Sequence, residues 1–512
     1  MKKKKWGFLA LMVFIGICAS GLMYWITGQG PGVSPDSTVY IEAARSFIAG
    51  NGFFVQGQAM TSYPPVYPLL LTLIALVTHG DILASARLLC MFFFGVNLIL
   101  LTVAVNICTK HNLTATACAM LIFLASAPII SVHAMAWSEA PFITFSMACF
   151  VLLSGYISSH RKYLLFLASL MAGFAAATRY VGVILFPAII FTFILLDSRS
   201  VRHRIKDMAV FLMIAILPLA SWIIRNMLLA GSTTNRRITF HPLIWERAKT
   251  LIINTMHDYI LPLPFPSRIK EINFWIVMAF FIVWVVIICR KILKKQIASS
   301  TDITLPLFCL IYSLMYIIFL IVSISFFDAH IPLDYRILLP AFLALTAAGI
   351  IIAWSLSEEQ NRRWIRHVFI FLLLASSCIN AIPAVVTAVN INKNGSGYTS
   401  RFWNDSQTIA CLSDFPEVRV IYSNGPDVIR FLTGKEAVMI PEKLSADTLK
   451  KNDGYENEMR RMIRKCKEEG ALIVYFNEIT WRWYLPSVEE IESSGNLPVL
   501  KRVGDGVIFG RR

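Results

Sequence analysis

The chain has 512 residues, of which 56% are hydrophobic and only 15% are charged. About a quarter of the residues of a soluble globular protein are usually charged, and the apolar residues here form runs long enough to cross a hydrocarbon layer about 30 Å thick. The composition therefore excludes a soluble protein. The formal net charge of +16 comes from lysines and arginines in short loops between the apolar runs, a pattern that sets membrane topology and argues against nucleic acid as a partner.

The N-terminal segment begins with Lys2–Lys5 and continues as an apolar run to about Ile26. This run is longer than the apolar part of a signal peptide, and no A-x-A-like cleavage site follows it. We therefore predict a membrane helix that is retained in the protein, with its N-terminus inside.

A large first outer loop, 27–84, follows this helix. Its stretch Asp36–Ala49 has apolar residues at helical spacing, which predicts a short helix along the outer membrane surface. The prolines 64, 65 and 68 suit a helix start. The apolar run behind them, Leu69–Val77, is predicted to be re-entrant or membrane-skimming, because a crossing there would move every later basic cluster to the other side.

Further apolar runs predict the remaining membrane helices, at about 85–108, 113–132, 142–158, a pair within 163–197, 208–229, 274–289, 303–325, 337–355 and 367–388. With the N-terminus inside, about eleven crossings place the basic clusters between them inside as well. The odd number places the C-terminus outside. We expect a polytopic α-helical protein of the cytoplasmic (inner) membrane.

Residues 1–390 form this membrane domain, and the composition turns soluble over 391–512. In the second segment strand-like runs such as Val418–Tyr422 and Ala471–Phe476 alternate with helical stretches, which predicts a small extracytoplasmic α/β domain. The chain has no G-x-G-x-x-G or P-loop pattern to support a nucleotide site. Cys411 and Cys466 lie in this domain and could form a disulfide there.

Two acidic residues are candidate catalytic groups. Asp36 lies at the outer end of the first helix, where a carboxylate could take a proton from an acceptor hydroxyl or amine; the alternative is an N-cap of the surface helix. Glu139 lies in the outer hairpin between the third and fourth predicted membrane helices. A carboxylate so close to hydrocarbon needs a partner or water, although a helix-start acid is again the alternative.

Arg179, Arg225 and Arg336 map to the outer membrane boundary, against the positive-inside trend. Arginines at one depth can bind a phosphate through bidentate hydrogen bonds. The alternatives are snorkelling toward lipid phosphates or, for Arg336, a pair with Asp334. No clustered histidine, cysteine or acidic pattern indicates a metal site, and we expect no cofactor; the alternative is a divalent metal, which the sequence does not imply.

The motifs around these residues resemble those of the GT-C superfamily of integral-membrane glycosyltransferases, in particular the branch of the protein O-mannosyltransferases and the lipid A aminoarabinose transferases. In chain order the similar motifs are Asp36, Ala43-Ala-Arg45, Gly50-Asn-Gly52-Phe53, Pro64-Pro65 with Tyr67-Pro68, Ser138-Glu139, Ala177-Thr-Arg179-Tyr180, Trp222-Ile-Ile-Arg225-Asn226 and Asp334-Tyr335-Arg336. The resemblance covers residues 30–345.

Members of this superfamily transfer a sugar from a polyprenyl phosphate to an acceptor on the outer face. The resemblance therefore implies the same activity here, with Asp36 as general base and Glu139 as the second acid. It also implies phosphate binding by Arg179, Arg225 and Arg336. Where the aminoarabinose transferases have a lysine before the double proline, this chain has Tyr63, whose hydroxyl could reach the phosphate but supplies no charge.

The partners that the resemblance implies are a polyprenyl-phosphate sugar donor, a lipid, glycan or protein acceptor, and membrane lipids. The main alternative is a transporter or flippase for a lipid-linked or anionic solute, which could use the same arginines. Acids midway along the membrane helices would support it, whereas the acids here lie at helix ends. A structural or assembly protein is a third possibility, and it leaves Asp36 and Glu139 without a role.

Overall fold

The computed structural model describes residues 2–197, 199–234, 236, 238–293, 301–359, 363–446, 448–495 and 497–511. The first part of the chain is helical. In chain order its helices are α1 Lys2–Ile26, α2 Pro35–Ile48, α3 Val66–Ala75, α4 Ile82–Cys108, α5 Leu113–Leu124, α6 Ala127–His133, α7 Glu139–Ser159, α8 Lys162–Thr178, α9 Leu185–Leu196, α10 Val201–Ala230, α11 Trp245–Ile260, α12 Ser267–Leu293, α13 Thr301–Phe326, α14 Tyr335–Glu359 and α15 Arg363–Asn394. The 3-10 helix Tyr180–Ile184 precedes α9, and β1 (Phe54–Val55) pairs with β2 (Gln58–Ala59) as a short hairpin in the first loop.

Many of these helices are suited to a membrane. Seven of the described helices are long and apolar enough to cross one, and the bent pair α5–α6 makes an eighth. The shorter apolar helices Ala10–Ile26, Lys162–Thr178 and Tyr180–Leu196 coincide with the other predicted crossings. The multi-pass helical architecture is therefore confirmed. The number of crossings, about eleven, and their direction stay predictions.

Helix α3 occupies the segment that was predicted not to cross. Its 10 residues are about half the number that a membrane-spanning helix needs. Pro65 lies at its N-terminus, and the helix packs against α2 and α4. A helix of this length fits the predicted topology.

The predicted helix at 113–132 is broken in the structure. α5 and α6 meet at an angle of 65°, so the predicted crossing consists of two helices with a bend between them. The hydroxyl of Ser126 caps α6 by accepting from the backbone N–H of Ile129, and Pro128 lies in the first turn, where its missing N–H costs no helical hydrogen bond. The break directs the end of α6 toward the first loop, where the N–H of Gly32 donates to the carbonyl of Ala134.

The C-terminal part is a small α/β unit, as predicted. Its helices are α16 Arg401–Asn404, α17 Gln407–Cys411, α18 Pro426–Thr433, α19 Tyr455–Glu468 and α20 Val488–Gly495, and its strands are β3 Ile421–Ser423, β4 Ala437–Met439, β5 Leu472–Phe476, β6 Val499–Val503 and β7 Gly506–Phe509. The sheet order is β4-β3-β5-β7-β6. β3 is parallel to β4 and β5, and β7 is antiparallel to β5 and β6.

Cys411 and Cys466 are not paired in this domain. Cys466 is buried in the hydrophobic cluster that contains Ile473 and Phe509, whereas Cys411 packs against the cluster that contains Leu472 and Val474. Successive residues of a strand point to opposite faces of the sheet. The sheet therefore separates the two cysteines, and they form no disulfide.

The α/β domain is docked on the first loop. One hydrophobic cluster contains Tyr40 and Tyr67 from the first loop together with Trp403 and Ile429 from the domain. The backbone is also connected, since the N–H of Tyr398 donates to the carbonyl of Val33 at 2.7 Å. The domain and the start of α2 thus lie together at one end of the helical bundle.

Candidate functional site

The beginning of α2 is fixed by Ser34. Its hydroxyl accepts a hydrogen bond from the backbone N–H of Ser37 at 3.4 Å and another from the indole N–H of Trp137 at 2.7 Å. Pro35 takes the first helical position, where proline is favoured. The alternative interpretation of Asp36 as the N-cap is therefore wrong, because Ser34 caps the helix and the Asp36 side chain has other partners.

Both carboxylate oxygens of Asp36 are engaged. The Tyr63 hydroxyl donates to Oδ1 at 2.7 Å, and Nη2 of Arg336 donates to Oδ2 at 2.6 Å. Burial raises the pKa of the Asp36 carboxyl, but the charge of Arg336 and the two hydrogen bonds outweigh it and hold the pKa below its usual value. Asp36 is therefore a carboxylate at neutral pH.

Glu139 is the first residue of α7, and only 1% of its side chain is exposed. Its Oε1 lies 2.5 Å from Nε of Arg336 and 2.6 Å from Nη1 of Arg179. A buried carboxylate requires such pairing, because desolvation of an unpaired charge costs several kcal/mol. Within the described part of the chain Oε2 is buried without a hydrogen-bond partner, so it can accept one from a bound molecule.

Arg336 lies at the start of α14. The Asp334 carboxylate caps this helix, accepting the backbone N–H groups of Arg336 and Ile337 at 3.0 and 3.1 Å. The Arg336 side chain turns away to Asp36 and Glu139, so the alternative of a side-chain pair with Asp334 is wrong. Its guanidinium lies 4.0 Å from the centroid of the Trp137 ring, a cation–π contact that fixes its plane.

Arg179 lies at the break between α8 and the following 3-10 helix, in extended backbone conformation. Its Nη1 contacts Glu139 and also donates to the Ser138 hydroxyl at 3.1 Å. The break in the helix pair predicted around this residue is thus present. It allows the guanidinium to reach the start of α7.

The site is an electrically balanced cluster of two carboxylates and two guanidinium groups, contributed by Asp36, Glu139, Arg179 and Arg336. A guanidinium has five N–H donors, which is more than these contacts use. The cluster can therefore accept an anion at its arginines. It lies at the end of the bundle on which the α/β domain is docked.

Arg225 lies elsewhere. Its Nη1 and Nη2 donate to the backbone carbonyls of Met60 and Phe53 at 2.8 and 2.9 Å, and its guanidinium stacks on Trp222. It thus holds the β1–β2 hairpin of the first loop. The structure brings together the other predicted site residues, which are Asp36, Tyr63, Glu139, Arg179 and Arg336; phosphate binding by any of the arginines stays a prediction.

Three residues around the cluster were assigned no role from the sequence. The Tyr40 hydroxyl lies 3.1 Å from that of Ser138, and the Tyr40 ring packs edge-on against Tyr63 with centroids 5.1 Å apart. Trp137 stacks on Arg336. Tyr40 follows Asp36 by four residues and thus lies on the same face of the helix. This spacing alone could have predicted that Tyr40 lies near the site. The contacts of Ser138 and Trp137 depend on how α7 packs.

Among the described residues no group of three or more histidine, cysteine or acidic side chains could hold a metal ion. The expectation of a reaction without a cofactor stays a prediction.

A family model described as dolichyl-phosphate-mannose-protein mannosyltransferase matches residues 62–222. The matched region includes Tyr63, Glu139 and Arg179, whereas Asp36, Arg225 and Arg336 lie outside it. No curated protein sequence matches the chain.

Solved structures share the fold over almost the whole chain. ArnT from Cupriavidus metallidurans in the apo state superimposes with a TM-score of 0.57 at 12% identity, covering 99% of this chain and 98% of that one. The same enzyme bound to undecaprenyl phosphate gives 0.51 at 13% identity, with 98% of each chain covered. The oligosaccharyltransferase of Archaeoglobus fulgidus, in complex with Zn and sulfate, gives 0.50 at 10% identity and covers 98% of this chain and 73% of its own. The family match over residues 62–222 and the fold shared with these structures both support a membrane glycosyltransferase of the GT-C superfamily.

Proposed function

We propose that the protein transfers a sugar from a polyprenyl-phosphate donor to an acceptor on the outer face of the cytoplasmic membrane, with inversion at the anomeric carbon. The observation that carries the proposal is the position of Arg336, which contacts Asp36 and Glu139 at the end of the bundle covered by the α/β domain. The proposal includes a topology with the N-terminus inside and the α/β domain outside, which agrees with the basic clusters in the short loops.

The donor phosphate is assigned to Arg179 and Arg336. Both guanidinium groups have N–H donors left, and bidentate hydrogen bonds to a phosphate suit their planar geometry. The crystal structure of ArnT with undecaprenyl phosphate supports this class of ligand for the shared fold. Tyr63 can add a hydroxyl, whereas Arg225 would have to leave the hairpin carbonyls that it now holds.

The chemical step is a single displacement. Asp36 takes the proton of the acceptor hydroxyl or amine as that atom bonds to the anomeric carbon. The bond from the anomeric carbon to the phosphate oxygen breaks, and its electron pair leaves with the polyprenyl phosphate. Arg179 and Arg336 stabilise the charge that develops on the leaving group, which is the kind of preorganised electrostatic effect that contributes most to many enzymes.

Glu139 has two assigned roles. Its Oε1 orients both arginines, since each donates to this one oxygen. Its Oε2, buried and without a partner among the described residues, is assigned to a hydroxyl or amine of the substrate. A buried acceptor left unpaired costs about 1–3 kcal/mol, so a substrate that supplies the hydrogen bond gains affinity over one that lacks it.

The acceptor is assigned to the space between α2 and the α/β domain. A cavity of about 460 Å³ lies there, lined on α2 by Thr38, Glu42 and Arg45 and on the domain by Arg430, Phe431 and Lys435. The cavity reaches the first turn of α2, where Thr38 lines it. Its mixture of charged, polar and aromatic groups suits a hydroxyl-rich or charged acceptor.

The transporter and assembly alternatives lose their support, because the matching family model describes a transferase. The proposal is tested by comparing lipid-linked sugars and surface glycans in cells with and without the protein. We expect cells without it to accumulate one polyprenyl-phosphate sugar on the outer leaflet and to lack one glycan modification. Accumulation on the inner leaflet alone, or unchanged glycans, would contradict the proposal.

A further inference from the structure

The proposed base is held in a form that makes it a poor base. Its Oδ1 accepts from Tyr63 and its Oδ2 accepts from Arg336. A proton can bind to this carboxylate only at the cost of an ion pair and a hydrogen bond. When the acceptor enters this site, both oxygens of the carboxylate therefore already accept hydrogen bonds from the protein.

The donor phosphate competes with Asp36 and Glu139 for hydrogen bonds from Arg336. The cluster of Asp36, Glu139, Arg179 and Arg336 has no net formal charge. A sugar phosphodiester brings one negative charge into it. The guanidinium of Arg336 must then be shared among the phosphate and two carboxylates, of which Asp36 is the more exposed, at 27% of its side chain against 1% for Glu139.

We infer that Arg336 holds Asp36 in an ion pair until the donor phosphate binds, and that the bound phosphate releases the carboxylate to accept the proton of the acceptor. This inference rests on the proposed donor and on the proposed role of Asp36. It makes Arg336 the residue through which the donor controls the base.

The geometry permits this exchange with a small movement. Arg336 is held independently by its Nε contact to Glu139 at 2.5 Å and by its stacking on Trp137. Only the Nη2 contact to Asp36 has to be weakened. If that contact persists, the phosphate still lies beside Asp36 and repels its negative charge, so both arrangements make the carboxylate more basic.

The other groups near Asp36 do not reverse this effect. Arg179 is the second cation of the cluster and is shared with the same phosphate, and Glu139 adds repulsion. The titratable groups that face Asp36 from the elements packed around it are Tyr40, Tyr63, Glu139, Arg179, Arg336 and Tyr398. The tyrosines are neutral at the relevant pH, because burial raises the pKa of Tyr63 and Tyr398 well above its usual value.

The cycle closes without any additional reactant. The acceptor O–H or N–H bond breaks and its proton passes to Asp36, while the electron pair of the broken sugar–phosphate bond stays on the phosphate held by the arginines. When the polyprenyl phosphate leaves, Arg336 returns to Asp36, and the carboxyl gives its proton to water. Formation of the ion pair thus also returns Asp36 to its deprotonated form.

The test is proton uptake on binding of a phosphodiester that cannot transfer a sugar. Methyl undecaprenyl phosphate is suitable because its single acidic group is ionised throughout the range studied, so any proton taken up goes to the protein. Its binding to the full-length protein in nanodiscs is measured by calorimetry between pH 4 and 7, in buffers of different ionisation enthalpy. We expect the protein to take up a fraction of a proton on binding, and this fraction should be largest in the acidic part of the range. By linkage, an uptake of half a proton weakens binding about threefold for each unit by which the pH rises.

Asp36→Asn is the matched variant and should bind the diester with no uptake. Tyr63→Phe removes the other hydrogen bond to the carboxylate and so raises the pKa of Asp36 in the free and in the bound protein. Its maximum of proton uptake should therefore move to higher pH, which keeps the test valid if Asp36→Asn does not fold. Binding with equal uptake in wild type and Asp36→Asn, or with no uptake in wild type, overturns this inference and leaves the proposed donor intact. Absence of diester binding to the wild type overturns the proposed donor together with it.

Discussion

Nη2 of Arg336 lies 2.6 Å from Oδ2 of Asp36, although 300 residues separate them in the chain. The same guanidinium reaches Glu139 through its Nε. One side chain at the start of α14 thus joins the first loop to the start of α7. The proposed catalytic group and the proposed phosphate site are one connected unit.

Replacement of Arg336 by lysine should reduce sugar transfer about 10²–10³-fold, the usual cost of losing one group that stabilises charge in a transition state. An ammonium is a compact point charge without the planar fork that contacts two carboxylates at once. Transfer by purified Arg336→Lys in nanodiscs measures the effect. Activity within a few-fold of wild type would mean that the positive charge alone suffices and that the fork has no role.

Arg225→Ala should act mainly on the first loop. The guanidinium holds the carbonyls of Phe53 and Met60, so its loss should make the 53–60 hairpin more sensitive to limited proteolysis. The apparent donor affinity should fall less than in Arg179→Ala, because Arg179 belongs to the charged cluster. A larger loss of donor affinity in Arg225→Ala than in Arg179→Ala would show that Arg225 leaves the hairpin to bind phosphate.

The Asp36 ion pair should stabilise the folded protein down to low pH. Its folded-state pKa lies below the usual value of 3.8, so the carboxylate contributes stability that is fully present above that value. The contribution is lost as the pH falls through the lower, folded-state pKa. The difference in melting temperature between wild type and Asp36→Asn should be constant above about pH 5 and should shrink below about pH 4. A difference that disappears between pH 5 and 7 would instead indicate a raised pKa.

Gly397→Ala should disturb the site from a distance. Gly397 has a φ of +58°, and a Cβ there would lie 2.0 Å from the carbonyl oxygen of Val33, in the segment that leads into α2. Gly434 is the matched control, because it has a φ of +68° but nothing within 4 Å of its Cβ position. We expect Gly397→Ala to lower both the melting temperature and the transfer rate well beyond Gly434→Ala. Equal effects would mean that only backbone strain matters.

The helices and the depth of the site could be predicted from the sequence because both depend on hydrophobicity along the chain. Apolar runs defined the membrane helices, and the polar residues at their ends, including Asp36 and Glu139, were predicted to lie at one level. Four of the residues predicted to lie at this level, Asp36, Glu139, Arg179 and Arg336, meet in the structure, and Tyr63, which the resemblance had indicated, joins them. The short strand β4, with three residues, gave no comparable signal.

Lateral position was not predictable, because topology fixes depth along the membrane normal but not which helices are neighbours. Arg225 was predicted at the same outer boundary as the other arginines, but its side chain contacts the hairpin carbonyls and not the cluster. The sequence left an N-cap as the alternative for Asp36, because Ser34 and Asp36 are both favoured N-caps. Only the packing that brings Trp137 onto Ser34 distinguishes them.

The most direct test of the central claim is sugar transfer by Asp36→Asn, compared with Asp81→Asn. Asp81 is the matched control, because it is an aspartate of the same loop that caps α4 through the N–H of Ala84, and asparagine caps a helix equally well. Both variants should insert and fold in the membrane. We predict that Asp36→Asn abolishes transfer while it still binds the lipid-linked donor, and that Asp81→Asn retains wild-type activity. Near-normal transfer by Asp36→Asn would contradict the assignment of Asp36 as the base.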